Sequence, residues 1–382
     1  MKEINAQGKR IVIDRVTQNL FKHHGWPSVC VNEKGVVYAV CSGHRMEHVC
    51  PAGKDLMFVS FNGGETWSKP IIVQDSWLDD RDAGIVNMGG GKMLLSWFSE
   101  KDHENFARFQ EYEWLDPIRK SMYKGWGDTY NYMDEKDLEE GSYVSLSEDY
   151  GLTWSDRIRV PVSAPHGPNV TKDGTLIYLG RAQNGDCGED EHRIICFAST
   201  DGGHTWEKRG VVPHPSDLVN NAVIKENNYD ICDFVHEPHV VELPNGRLLG
   251  AMRVHCRPEP FDPRDTCYTT FSDDGGMTWS DPKSVDCTGL PPHLFVTSKG
   301  AVICSYGDRR DGHWAERAAV SYDFGETWEE DYIIDDSASG GDLGYPATAE
   351  LPDGSLITVY YQPMTGDWLP SFICTKWKLT DR

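Results

Sequence analysis

The sequence predicts an all-β fold, a six-bladed β-propeller, on three observations. A turn motif of the form Ser-x-Asp-x-Gly-x-Thr-Trp recurs five times. An apolar strand that ends in a turn glycine recurs six times, upstream of where each such motif falls or is due. The composition is rich in Trp (13), Tyr (16) and Gly (37), which suits many short strands joined by tight turns.

The five turn motifs are Ser60–Trp67 (with Asn62 at the Asp position), Ser147–Trp154, Ser199–Trp206, Ser272–Trp279 and Ser321–Trp328. Their chemistry is that of a hairpin. Asp or Asn accepts backbone N–H bonds within the loop, and Gly takes the positive φ that the turn needs. Trp then packs between neighbouring strands. These residues are expected at the outer edge of the blades, away from any site.

The upstream strands begin at Trp26, Asp82, His166, Glu237, Pro292-His293 and Tyr345, and end at Gly35, Gly91, Gly174, Gly246, Gly300 and Gly354. In four of them, Trp26, Asp82, Glu237 and Tyr345 stand nine positions before the glycine. Each unit then reads strand, turn, strand, loop, strand, motif, strand, and six units of four strands make the propeller. The last unit lacks the motif, so one chain end is expected to close it, either residues 11–16 or 373–379. One domain over residues 1–382 is expected, with an insertion at about 100–143. That insertion carries Phe106, Phe109, Tyr112, Trp114, Tyr123, Trp126, Tyr130 and Tyr132 and is too long for a hairpin loop. It is either a helical excursion over the mouth or a surface embellishment.

The formal net charge of −23 argues against nucleic acid or an anionic membrane as partner. It would also repel an anionic substrate, which therefore requires a locally basic pocket. Eleven cysteines without a CxxC pair read as reduced thiols. The polar start Met1–Gln7 has no secretory pattern. A cytoplasmic location is therefore expected, or a secreted one if a leader has been removed.

In a propeller the inner strands converge on the channel, so their leading residues should form a ring: Trp26, Asp82, His166, Glu237, His293 and Tyr345. A purely structural ring would be small or apolar. This one holds carboxylates, imidazoles and a phenol, which marks a candidate site. His239, on the fourth inner strand, joins the candidate binding residues. Arg181 and Arg253 each stand seven residues beyond their turn glycine, Arg309 (with Arg310 beside it) occupies a similar place, Arg317 opens a third strand and Arg45 ends a second one. Guanidinium groups converging there would recognise a planar carboxylate through paired N–H bonds.

The turn motifs, the six inner strands and the segment from Glu237 to Leu249, followed by Arg253, together resemble the sialidase (neuraminidase) superfamily, in particular bacterial sialidase-like Asp-box (BNR) repeat proteins. The resemblance covers nearly the whole chain and implies a six-bladed β-propeller of the sialidase type. It implies that Glu237 is the base that activates a tyrosine nucleophile, Tyr345, and that Arg253 belongs to an arginine triad holding the substrate carboxylate. Arg309, Arg310 or Arg317 would supply a further member. The chain departs from the family at Gly25-Trp26-Pro27, where an Arg-Ile-Pro motif is usual, and residues 44–55 offer no counterpart of the usual acid. Asp82 is the replacement acid, and Arg81 beside it a stand-in for the missing arginine.

The chemistry is consistent with those residue types. A sialic-acid glycoside carries a carboxylate on its anomeric carbon and reacts through an oxocarbenium-like transition state. A carboxylate nucleophile would be repelled, whereas a neutral tyrosine with a neighbouring base is not. The expected function is an exo-glycosidase acting on terminal sialic acid or a related acidic sugar, without cofactor or metal. Alternatives are a hydrolase or lyase of a different sugar, or a glycan-binding propeller without catalysis. A metal site from His166, His293 and Asp82 has no ligand spacing to support it.

Overall fold

In the computed structural model, which describes residues 1–101, 108–255 and 265–380, six sheets form the six blades of a β-propeller. Blade 1 runs outward through His23–Val31, Val37–Arg45, Lys54–Ser60 and Ile71–Gln74. Blade 2 uses Asp79–Gly89, Lys92–Glu100, Gly141–Ser147 and Ile158–Val160. Blade 3 has the shortest inner strand, Asn169–Val170, followed by Leu176–Arg181, Ile194–Ser199 and Glu207–Val211. Blade 4 comprises Val235–Glu242, Leu248–Val254, Thr266–Ser272 and Lys283–Ser284. Blade 5 comprises Leu290–Val296, Val302–Asp308, Ala315–Ser321 and Glu330–Asp335, and blade 6 starts with Gly344–Glu350, Leu356–Pro363 and Pro370–Trp377.

Both chain ends take part in closure. Pro370–Trp377 is the third strand of blade 6, and Lys9–Asp14 pairs antiparallel with it as the fourth. The two segments offered as alternatives by the sequence are thus neighbours in one sheet. Lys2–Asn5 adds a fifth strand to blade 5, parallel to Glu330–Asp335, which the sequence pattern did not indicate.

Apart from these two N-terminal strands, the strands of each blade pair antiparallel with their sequence neighbours, and the apolar residues lie between blades. Val29, Ala39 and Phe58 pack on Ala347, Val359 and Phe372 between blades 1 and 6. Five similar clusters fill the other clefts, so each blade is glued to two neighbours. Burial of these aliphatic and aromatic side chains is the main force holding the ring.

The turn motifs behave as their chemistry requires. Ser60 Oγ accepts the Gly64 N–H at 2.9 Å and Asn62 Oδ1 the Thr66 N–H at 3.0 Å. The other four motifs repeat both bonds at 2.8–2.9 Å. Each motif links the third strand to the fourth, and its Trp packs into the cleft shared with the preceding blade. Inner strands start at the opposite end of the blades, so the motifs lie away from the channel mouth.

The insertion is helical. Asp116 caps a helix over Pro117–Thr129, accepting from the N–H groups of Ile118 and Arg119. Its aromatic face sits on the blade 1 loops at the mouth end: Tyr123 donates to the Val49 carbonyl and Tyr130 to the Trp77 carbonyl, both at 3.0 Å. Met46, Cys50, Leu78, Leu115 and Tyr123 form a separate core there, and Arg119 lies over the Trp368 ring. The insertion is therefore a rim element on the mouth side, while Phe106 lies outside the described residues. The ten described cysteines are free thiols, and Cys256 lies outside the described residues.

Candidate active site

The four residues nine positions before the turn glycine share one backbone device. Trp26, Asp82, Glu237 and Tyr345 all have left-handed φ, at 51°, 61°, 47° and 51°. Each lies where the pairing register of its inner strand shifts. A β-bulge redirects one side chain out of the strand's alternation. Left-handed φ in non-glycine residues costs on the order of 1–3 kcal/mol each and persists where the surroundings impose it. Here it brings an indole, two carboxyls and a phenol into one cluster, of which Asp82 and Glu237 line the open cavity. In blades 3 and 5 the equivalent positions are Pro165 and Pro291, which carry no such group.

At the centre, the Tyr345 hydroxyl donates a short hydrogen bond to Glu237 Oε1. The other oxygen, Glu237 Oε2, accepts from Arg253 Nη1 at 2.7 Å, and Arg253 Nη2 donates to His255 Nδ1 at 3.1 Å. Burial alone would raise the Glu237 pKa, but Arg253 and the tyrosine hydroxyl outweigh it and hold the carboxyl below its ordinary range. Tyr345 is 4% exposed, and burial beside the Glu237 carboxylate pushes its phenol well above the usual value. Asp82 lines the same cavity. Burial, reinforced by the Glu237 charge, raises its pKa to about 8 against the opposing pull of Arg81 and Arg45. At neutral pH the site thus holds one carboxylate, Glu237, and one carboxylic acid, Asp82.

The cavity beside Asp82 and Glu237 measures about 320 Å³ and is walled by Phe98, Pro165, Arg181, Gln183, His236 and Arg253. A second lobe of about 500 Å³ continues past Arg253 and His255 to Arg309 and Arg310. Arg309 donates from Nε to the Leu343 carbonyl at 2.7 Å and from Nη2 to Tyr361 Oη at 3.1 Å, and its guanidinium stands 5.5 Å from the centroid of the Tyr345 ring. Arg181, Arg253, Arg309 and Arg310 line this concavity together with Asp82, Glu237, Asp265, Asp308 and Asp311, so its charge is mixed and not the locally basic one expected from the sequence.

Several sequence expectations need correction. Arg45 is fully buried and does not face the cavity: it pairs with Asp79 at 2.6 Å and stacks beneath Trp26. Arg317 points to the outside of blade 5, where it binds Asp331 and Glu3, both at 2.6 Å. Arg81 is not part of the cavity wall and turns to Asp79 and Glu100, over the Phe98 ring. His239 and His293 stand seven positions before their glycines, two residues deeper than the ring, and His166 is buried beside them. His239 Nδ1 accepts the Leu294 N–H at 3.0 Å and His293 Nδ1 the Thr348 N–H at 3.3 Å, each tying its blade to the next. Burial lowers all three pKa values, that of His239 to about 3, so they are neutral struts under Tyr345 and not substrate contacts. The inner strand of blade 3 lies so close to blade 2 that a Cβ on Gly84 would stand 2.6 Å from the Gly167 nitrogen. Trp26 is also 3% exposed and edge-on to Tyr345, so it backs the tyrosine and does not line the open cavity.

The Arg45–Asp79 pair gives a stability test. Arg45→Met leaves the buried Asp79 carboxylate with Arg81, at 3.2 Å, as its remaining charged partner, so denaturant unfolding should show a loss of up to about 3–5 kcal/mol. An unchanged midpoint would return Arg45 to the surface.

Sequence reading missed His236, His255, Gln183 and Phe98 as cavity walls and Tyr361 as the partner of Arg309. Phe98 and Tyr361 stand seven residues beyond their turn glycines, as Arg181 and Arg253 do, and Gln183 and His255 stand nine beyond, as Arg309 does, so the repeat marks these four positions and only their residue types drew no attention.

The profile of the BNR repeat-like domain matches residues 129–359, and that of the BNR/Asp-box repeat matches residues 58–69. The chain belongs to the BNR repeat-like domain family. Among solved structures, this BNR protein is similar to one of unknown function from Dyadobacter fermentans DSM 18053, at 18% identity and a TM-score of 0.71, covering 97% of this chain and 98% of the other. It is also similar to the intramolecular trans-sialidase of Ruminococcus gnavus, at 15% identity, TM-score 0.61 and 98% coverage of both chains. An α-L-arabinofuranosidase of Fusarium graminearum aligns at 14% identity, TM-score 0.63 and 97% coverage of both. At these identities the likeness is one of fold, a sialidase-like propeller. No curated protein matches the sequence.

Proposed function

We propose that this BNR protein is an exo-glycosidase of the sialidase type, acting on a terminal sialic acid or related acidic sugar. The observation that carries the reading is the Tyr345–Glu237 hydrogen bond, with Glu237 anchored by Arg253 and with Asp82, whose pKa burial raises, in the cavity beside it. Glu237 takes the phenolic proton as Tyr345 Oη attacks the anomeric carbon. Asp82 gives its proton to the leaving oxygen, and the bond between that carbon and that oxygen breaks. Water then attacks the tyrosyl glycoside. The Asp82 carboxylate takes the water's proton, and the phenolate recovers its own from Glu237. Arg253 and Arg309 face the lobe where a substrate carboxylate would be held.

A second reading has its own support. Gly25 stands where the sialidase pattern has its first arginine, and the indole of Trp26 follows it, which favours a sugar without a carboxylate; a structural neighbour is an arabinofuranosidase. A panel of aryl glycosides separates the readings. Turnover of sialic, ulosonic or uronic glycosides alone is the expected result. Turnover restricted to neutral sugars would replace the acidic-sugar reading with the second. Glycan binding without any turnover would make the propeller a lectin-like module.

A further inference from the structure

Away from the cavity, Asp14, His24 and His44 bring one carboxylate oxygen and two imidazole nitrogens within 4.8 Å of one another. Asp14 ends the closing strand of blade 6, His24 lies on the inner strand of blade 1 and His44 near the end of the second. His24 Nε2 stands 3.0 Å and His44 Nε2 3.3 Å from the same atom, Asp14 Oδ2. We propose that these three residues form a divalent transition-metal site, best suited to Zn²⁺, which clasps the closing strand to blade 1.

The chemistry of His24 carries the argument. Its ring is fully buried, and Nδ1 lies 2.9 Å from the Lys22 carbonyl oxygen, which only accepts. Nδ1 therefore carries a proton, and a ring holding that proton alone would turn the Nε2 lone pair on a carboxylate oxygen. Positive charge must lie between them. A histidine whose Nδ1–H is held by a backbone carbonyl, leaving Nε2 free, has the arrangement of a metal ligand with its outer partner in place. His44 aims a second imidazole nitrogen at the same oxygen, its ring at 80° to that of His24. Ligands about 2.0–2.1 Å from a tetrahedral zinc stand about 3.3 Å apart, close to the observed spacings. Two imidazoles and one carboxylate suit borderline divalent ions. A side chain at Gly43 would stand 3.0 Å from the His24 ring, so the site is packed on its inner side. On its outer side, His44 lines a cavity of about 360 Å³ together with Val16, Asn19, Phe21, Ala52 and Lys54, which gives an ion a path in and room for a water as fourth ligand.

The rival is a proton on His24, giving an imidazolium–carboxylate pair. The full chain, stripped with EDTA, is titrated with Zn²⁺ by calorimetry, and Co²⁺ is added in parallel to read ligand geometry from its visible spectrum. The expected result is one Zn²⁺ per chain, a Tm raised by several degrees and a tetrahedral Co²⁺ band. Asp14→Asn and His44→Asn should each weaken binding by at least about 100-fold. Asparagine tolerates the left-handed φ of 52° at position 44, so that variant should fold, with the Tm of the stripped parent checking it. His48→Ala, in the separate His23–His48–Asp342 cluster, should bind as the parent does. Absence of saturable binding, binding undiminished in the Asp14 and His44 variants, or binding lost in His48→Ala would each overturn the site.

Discussion

Tyr345→Phe should reduce kcat by several orders of magnitude while leaving Tm nearly unchanged. The substitution removes one hydroxyl that is bonded to Glu237 and keeps the ring that packs against Trp26 and Tyr361. A nucleophile that forms a covalent bond has no substitute in a phenyl ring. The measurement is single-turnover kinetics on whichever aryl glycoside the panel identifies, with a quench to trap the glycosylated tyrosine. Near-normal turnover in Tyr345→Phe would reject the tyrosine route and leave a water-based reaction between Asp82 and Glu237.

Asp82→Asn should abolish turnover of poor leaving groups and stabilise the protein, in opposite directions from one substitution. Asp82 has its pKa raised to about 8, above the ordinary 3.8 of an unfolded chain. A raised carboxyl contributes its stability fully below the unfolded value and loses it as pH rises towards the folded one. Parent stability should therefore fall between about pH 4 and pH 8 more steeply than that of Asp82→Asn, which has no charge to bury. Activity follows the same proton. The acid must be protonated, so kcat/KM should decline as pH rises through about 8. The other limb comes from Glu237, whose lowered pKa keeps it a carboxylate until pH drops below the ordinary range. An alkaline limb absent from the parent profile, or retained in Asp82→Asn, would remove Asp82 from the acid role.

The central cluster was legible in the sequence because a repeat carries it. Trp26, Asp82, Glu237 and Tyr345 share one offset from a glycine, and equal offsets in equivalent strands mean equal places around an axis. The same counting failed for His166 and His293, since prolines hold the true positions in blades 3 and 5. It could not judge the arginines. Whether a guanidinium faces a ligand or a buried carboxylate depends on partners far away in the chain, Asp79 for Arg45 and Glu3 and Asp331 for Arg317. Closure was half legible: both terminal segments read as strands, but their pairing with each other joins distant parts of the chain, which no local pattern encodes.

That pairing also constrains how the protein is made. Ile11 lies beside Cys374, so the outermost strand of the last blade emerges from the ribosome well before its partner. At the usual rate of synthesis the wait is about 20–70 s. Throughout it, residues 9–14 present a bare β-edge to every other nascent chain. The segment reads Lys-Arg-Ile-Val-Ile-Asp, with two cations at one end and an anion at the other. Charges flanking a short apolar run discourage edge-to-edge association with other chains. The strand that seals the ring thus carries its own protection against aggregation for the interval before the ring exists.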